Sequence, residues 1–90
     1  MQEAARVAID LGAESCRVSL LRWINGEPAV EVVLRIPNGP VRRGDSLCWP
    51  LSHILAGLEE GLRKAAAAAP EGIRSIGVDG WSVDYVRLAP

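Results

Sequence analysis

Arg6-Val7-Ala8-Ile9-Asp10-Leu11-Gly12-Ala13-Glu14-Ser15-Cys16-Arg17-Val18-Ser19-Leu20-Leu21 decides how this chain folds. Val7, Ile9 and Leu11 alternate with smaller or polar residues, which predicts a strand over Arg6 to Leu11 with Ala8 on its other face. Val18, Leu20 and Leu21 predict the apolar side of a second strand. Between the two lies a polar turn, Asp10 to Arg17. The stretch has two readings. In one it is an ordinary hairpin, since Asp and Gly favour turns on conformational grounds alone. In the other it is a phosphate cradle. Gly12 lets a ligand approach the main chain, and the amides of Ala13 to Arg17 form a nest for phosphate oxygens. Ser15 then adds a hydroxyl and Arg17 a cation, while Asp10 holds magnesium through its waters. The P-loop ending and the dinucleotide glycine spacing are both missing.

Outward from this stretch, Asn25-Gly26 predicts a type I′ hairpin turn, because both residues tolerate positive φ. A third strand is expected over Ala29 to Ile36, with Val30, Val32 and Leu34 on a buried face. Pro37, Asn38, Gly39, Pro40 and Gly44 break periodicity, so Pro37 to Trp49 reads as a long loop, with Trp49 packing at the mouth of a helix. The helix is expected from an N-cap at Ser52 to about Ala69, with Ile54, Leu55, Leu58, Leu62, Ala65 and Ala66 on one face. Glu59 with Arg63 and Glu60 with Lys64 form i, i+4 pairs, worth roughly 0.2–0.5 kcal/mol each. Gly57 and Gly61 make a smooth patch that brings the helix close to the sheet. His53, the single histidine, reads as a solvated or capping residue rather than a ligand.

Ile73 to Asp79 predicts a buried strand, and a helix between strands implies a crossover that sets it parallel to the first. A second polar turn follows, Asp79-Gly80-Trp81-Ser82-Val83-Asp84, and Val83, Tyr85, Val86 and Leu88 suggest a short final strand. With the first and fourth main strands as parallel neighbours, Asp10 and Asp79 fall together at carboxyl ends, where open α/β sheets collect ligands. Carboxylates and hydroxyls suit sugar hydroxyls, and an indole face covers the apolar side of a sugar ring. Trp81 also reads as core packing, and Asp79 and Asp84 as simple turn residues.

Composition bounds the function. Ninety residues suit one small domain or part of a larger one. A net charge of −1 without a basic tract gives no reason to expect a nucleic-acid partner. Cys16 and Cys48 lack metal-ligand spacing and read as reduced thiols. The absence of a signal-like opening or a bilayer-length apolar run points to a cytoplasmic protein with no membrane partner.

The opening run resembles the start of the FGGY carbohydrate kinases of the actin-like ATPase superfamily. Ser75-Ile76-Gly77-Val78-Asp79-Gly80-Trp81-Ser82-Val83-Asp84-Tyr85 resembles the rhamnulokinase branch, as do Ile36 to Pro40 and Trp49. The likeness covers essentially the whole chain. It implies an α/β ribonuclease H-like or actin-like domain, incomplete, built as β-β-β-α-β plus the short final strand. It implies that residues 1–90 are part of an amino-terminal domain whose second domain is absent, to be supplied in cis or by a separate chain. The implied activity is magnesium- and ATP-dependent phosphorylation of L-rhamnulose at its 1-hydroxyl. ATP phosphates would meet Gly12, Ala13, Glu14, Ser15, Cys16 and Arg17. Sugar would meet Ser82, flanked by Trp81 and Asp84. Asp10 would support the metal.

The general base of the family has no counterpart here and is expected beyond Pro90, so the 90-residue chain alone is expected to be inactive. Glu14 and Cys16 depart from the family's first turn, Gly80 and Ser82 from its second. Two other readings stand beside this one. The first is another kinase of the family, acting on xylulose, fuculose or glycerol. The second is a non-catalytic actin-like remnant that serves as a binding module.

Overall fold

In a computed structural model, residues 3–90 are described. Strand β1 (Ala5–Leu11) runs antiparallel to β2 (Ser15–Ile24), and β2 antiparallel to β3 (Glu27–Pro37). A small hairpin, β4 (Val41–Arg43) and β5 (Ser46–Cys48), precedes helix α1 (Leu51–Ala68). The helix crosses over to β6 (Ile73–Asp79), which pairs parallel to β1. The main sheet therefore has the order β3-β2-β1-β6. This is an α/β fold with a mixed sheet and one helix, as the hydrophobic periodicity predicts.

The β2–β3 turn takes φ +53° at Asn25 and +81° at Gly26, the left-handed pair that Asn-Gly was expected to supply. One face of the sheet carries Val7, Ile9, Val18 and Leu20, all buried in one cluster with Ala65 of α1 and Ala69, its C-cap. Cys16, Ile36 and Ile54 form a second buried cluster, with Trp49 and Trp81 packed on it. The glycine patch brings helix and sheet together as expected. A Cβ at Gly61 would lie 2.5 Å from Val18 Cγ2 and 2.9 Å from its Cβ, and one at Gly57 would run into Ile36.

Several boundaries differ from expectation. In β3 the register passes from Val18 opposite Leu34 to Ser19 opposite Val32, leaving Val33 as an extra residue. Such a bulge reverses which side chains face the core. Leu34 and Ile36 therefore point to the helix side, while Val30 and Val32 lie exposed on the other face. Leu21 joins them there as the partner of Val30, not the apolar side shared by Val18 and Leu20. The expected long loop contains the β4–β5 hairpin. The helix begins at Leu51 after Pro50, with no side-chain cap, so Ser52 is inside the helix rather than its N-cap. Leu55 is exposed, and the Glu59–Arg63 pair forms at 2.6 Å, whereas Glu60 approaches Arg63 rather than Lys64.

Strand β6 occupies the expected residues, but it is an edge strand of which only Ile73 packs on the helix-side core. Its Ile76 and Val78 are exposed, not buried. The expected final strand does not form: residues 85–90 are irregular, and Val83, Tyr85, Val86 and Leu88 are exposed.

Candidate functional site

The first turn is tighter than the sequence suggests. Gly12 N–H donates to the Ser15 carbonyl at 3.0 Å, and a Cβ on Gly12 would sit 2.5 Å from that same oxygen. Glycine is needed here for close approach of backbone to backbone. The predicted eight-residue turn shrinks accordingly, because Cys16 pairs with Leu11 and Arg17 with Asp10 in the β1–β2 ladder. Ala13 and Glu14 remain as the exposed turn residues, while Ser15, Cys16 and Arg17 belong to β2.

Asn38 fastens this turn. Its backbone N–H donates to the Glu14 carbonyl at 2.9 Å, and its Nδ2 donates to the Gly12 carbonyl at 2.9 Å. The sequence marks Asn38 as a loop residue among Pro and Gly, in a run that resembles the rhamnulokinase branch, but not as a partner of this turn. Its ability to satisfy two carbonyl groups at once is the signal that could have placed it here.

Cys16, one of the two first-turn residues that depart from the family pattern, turns its side chain into the core against Ile36 and Ile54. Burial first, and then the charge of Asp10, push its thiol above the ordinary 9.0, against a lowering hydrogen bond at Gly12. The thiol is a packed, neutral group facing away from the sheet edge.

Asp10 and Asp79 come together as expected. They are register partners on the parallel strands β1 and β6, at the carboxyl end of each. Arg17 stands opposite Asp10, and Arg35 opposite Arg17, so one row across the sheet reads Asp79, Asp10, Arg17, Arg35. The row lies on the face away from α1, because its neighbours Ile9 and Val18 point into the core. Arg17 forms an ion pair with Asp10, and its Nε is buried without a partner.

Asp79 Oδ1 accepts from Gly80 N–H at 3.0 Å and so begins the second turn. Gly80 seats this turn beside the first, since a Cβ there would lie 3.1 Å from Leu11 Cβ. Trp81 stacks on Trp49 with ring centroids 4.5 Å apart and planes 7° from parallel. Trp49 Nε1 donates to Asp84 Oδ2 at 2.8 Å. A groove of about 950 Å³ opens here, lined by Trp49, Trp81, Asp84, Arg43, Arg87 and Ser52 among others. Ser82 is exposed in the turn but does not line the groove. His53 is exposed, with its Nε2 3.4 Å from the Pro37 carbonyl.

Nine-tenths of the chain aligns with the rhamnulokinase of Bacteroides thetaiotaomicron, at 38% identity over 81 residues. This chain is rhamnulokinase-like. The rhamnulokinase of Mannheimia succiniciproducens is 37% identical over 83 residues, and that of Bacillus subtilis 33% over 81, again across 90% of the chain. The resemblance expected from the two turns is borne out. The chain spans only 16–17% of the length of these rhamnulokinases. No protein-family model matches it. Among the described residues, no helix is long and apolar enough to cross a membrane, and no group of three or more His, Cys, Asp or Glu gathers to hold a metal.

Proposed function

We propose that this chain forms one wall of the active site of an ATP-dependent sugar kinase that phosphorylates L-rhamnulose at its 1-hydroxyl. The observation that carries the reading is the pairing of Asp10 with Asp79. It brings the carboxyl ends of two parallel strands together, with a glycine turn on one side and a Trp-containing turn on the other. The likeness to rhamnulokinases supports the choice of sugar. In this reading the fold is the first part of an actin-like, ribonuclease H-like domain in a cytoplasmic enzyme. The general base and the second domain belong to the five-sixths of the relatives' length that the chain does not span.

The residues present fit magnesium. That ion keeps several waters and takes one or two carboxylates plus substrate phosphates, so it needs no all-protein cage. Asp10 and Asp79 supply adjacent, solvent-reached carboxylates of that kind, and Asp10 would hold the ion through water. When bound, magnesium neutralises the charge on the transferring phosphoryl group. The phosphates of ATP lie along Gly12, Ala13, Glu14, Ser15, Cys16 and Arg17. Within that run Ala13 and Glu14 offer turn amides, Ser15 a hydroxyl and Arg17 a cation, while Cys16 contributes backbone only. The sugar lies on the second turn, against the indole of Trp81, the hydroxyl of Ser82 and the carboxylate of Asp84. Phosphoryl transfer depends on positioning and charge compensation more than on covalent chemistry, which these residue types suit.

The test is ADP release by the native gene product with ATP, magnesium and L-rhamnulose, with the sugar phosphate identified by mass. Phosphorylation of L-rhamnulose in clear preference to xylulose, fuculose and glycerol is expected. No phosphorylation of any of these sugars overturns the reading.

A further inference from the structure

We propose that Trp49 is a positioning residue that holds Trp81 and Asp84 in register for the sugar, an inference that rests on the sugar-binding role proposed above for the second turn. Trp49 is itself fixed. It lies two residues before α1, its carbonyl accepts from Leu51 N–H at 2.8 Å, and its ring packs on the buried cluster of Cys16, Ile36 and Ile54.

Trp81 shares the packing on that cluster, but Asp84 has no such support of its own. They follow the last strand in a stretch with no ladder hydrogen bonds, where the flanking Val83 and Tyr85 are exposed. The Trp49 indole reaches both and links them to each other. Its face stacks on Trp81 at 4.5 Å and 7°, and its edge N–H reaches Asp84 Oδ2 at 2.8 Å.

The two contacts act in different ways. The parallel stack fixes the plane of Trp81 and thereby the orientation of its other surfaces. The charge-assisted hydrogen bond occupies one oxygen of Asp84, and a carboxylate retains further acceptor sites for a ligand hydroxyl. Both groups sit at the same groove as Trp49. A sugar is held by a few directional hydrogen bonds, so fixing these groups before binding removes an ordering cost that would otherwise weaken affinity. Trp49 therefore acts on sugar affinity through Trp81 and Asp84 without contacting the transferred phosphoryl group.

The experiment uses the native gene product and two substitutions. Trp49→Phe keeps a ring for Trp81 and removes the N–H to Asp84, and Trp49→Leu removes both. Stacked indoles give an exciton couplet in far-UV circular dichroism, so the parent should show one and both variants should lack it. With L-rhamnulose as probe, KM should rise about tenfold in Trp49→Phe, the scale of a lost hydrogen bond to a charged group. It should rise further in Trp49→Leu, with kcat changed much less.

In an Asp84→Ala background, Trp49→Phe should add little to KM, because the group it positions is gone. An unchanged KM in Trp49→Phe, or fully additive effects in the double variant, overturns the role of Trp49 and leaves sugar binding at this turn standing. A parent protein that neither binds nor phosphorylates L-rhamnulose overturns both.

Discussion

Asp10 and Asp79 are neighbours across two parallel strands, each the last or next-to-last residue of its strand, and Arg17 compensates only one of them by ion pairing with Asp10. Asp79 spends one oxygen on the Gly80 amide. The two carboxylates are thus unequal: one is paired with a cation, the other with a backbone dipole.

That inequality predicts different outcomes for the two amides. Asp79→Asn keeps an acceptor for Gly80 and removes a like charge opposite Asp10, so stability should stay level or rise by about 0.2–1 kcal/mol. Asp10→Asn leaves Arg17 without its partner and should lower stability slightly. In the proposed kinase it should also raise the magnesium concentration needed for half-maximal turnover roughly 10–100-fold. Denaturant melts and magnesium titrations of the two variants check this. A rise in stability for Asp10→Asn would contradict the assignment of Arg17 as its counterion.

Gly61 and Gly57 should respond differently to alanine. At Gly61 the new methyl meets the Cβ of Val18, part of a stiff β-branched side chain in the sheet. Overpacking of about 1–3 kcal/mol should exceed the helix-propensity gain of about 1 kcal/mol. At Gly57 the new methyl meets mainly the terminal carbon of Ile36, which can rotate away. Gly57→Ala should therefore lie closer to neutral, as thermal or chemical unfolding would reveal.

Arg22 and Glu71 tie the end of β2 to the turn after α1 at 2.8 Å, and Arg22 also donates to the Ala68 carbonyl. The hydrogen bond from Arg22 holds the Glu71 carboxyl below its ordinary 4.5, and the same bond raises Arg22 further. A carboxyl whose folded pKa is depressed stabilises the fold above its unfolded value, and that contribution is lost as pH falls through the folded one. Stability should therefore be level near neutrality and decline below about pH 4.5 in the parent. Glu71→Gln should be less stable at neutral pH and show a shallower acid decline. Equal acid slopes for the two proteins would rule out this pair as a source of the pH dependence.

The two thiols should separate by reactivity. Cys16 is fully buried with its pKa raised, so it should resist alkylation in the native protein well above neutral pH. Cys48 is partly exposed on the β4–β5 hairpin and should label readily. Peptide mapping after iodoacetamide treatment, with and without denaturant, distinguishes them. Native labelling of Cys16 would mean that the Cys16–Ile36–Ile54 cluster opens.

Local pattern alone was enough for β1, for the Asn25-Gly26 turn, for α1 to within two residues at each end, and for the residues of β6. Each depends on a periodicity or a turn preference that neighbouring residues carry by themselves. The meeting of Asp10 with Asp79 was also legible, because a helical crossover imposes parallel pairing. Tertiary structure decided the rest. The Val33 bulge, which sends Val30 and Val32 outward, depends on how β3 pairs with β2. The exposure of Ile76 and Val78 depends on where α1 lies over the sheet. The shortening of the Gly12 turn depends on Cys16 and Arg17 finding partners in β1. Asn38 and Trp49, far apart in sequence from the turns they hold, join the site only because folding brings distant side chains to one sheet edge, and no local periodicity encodes that contact.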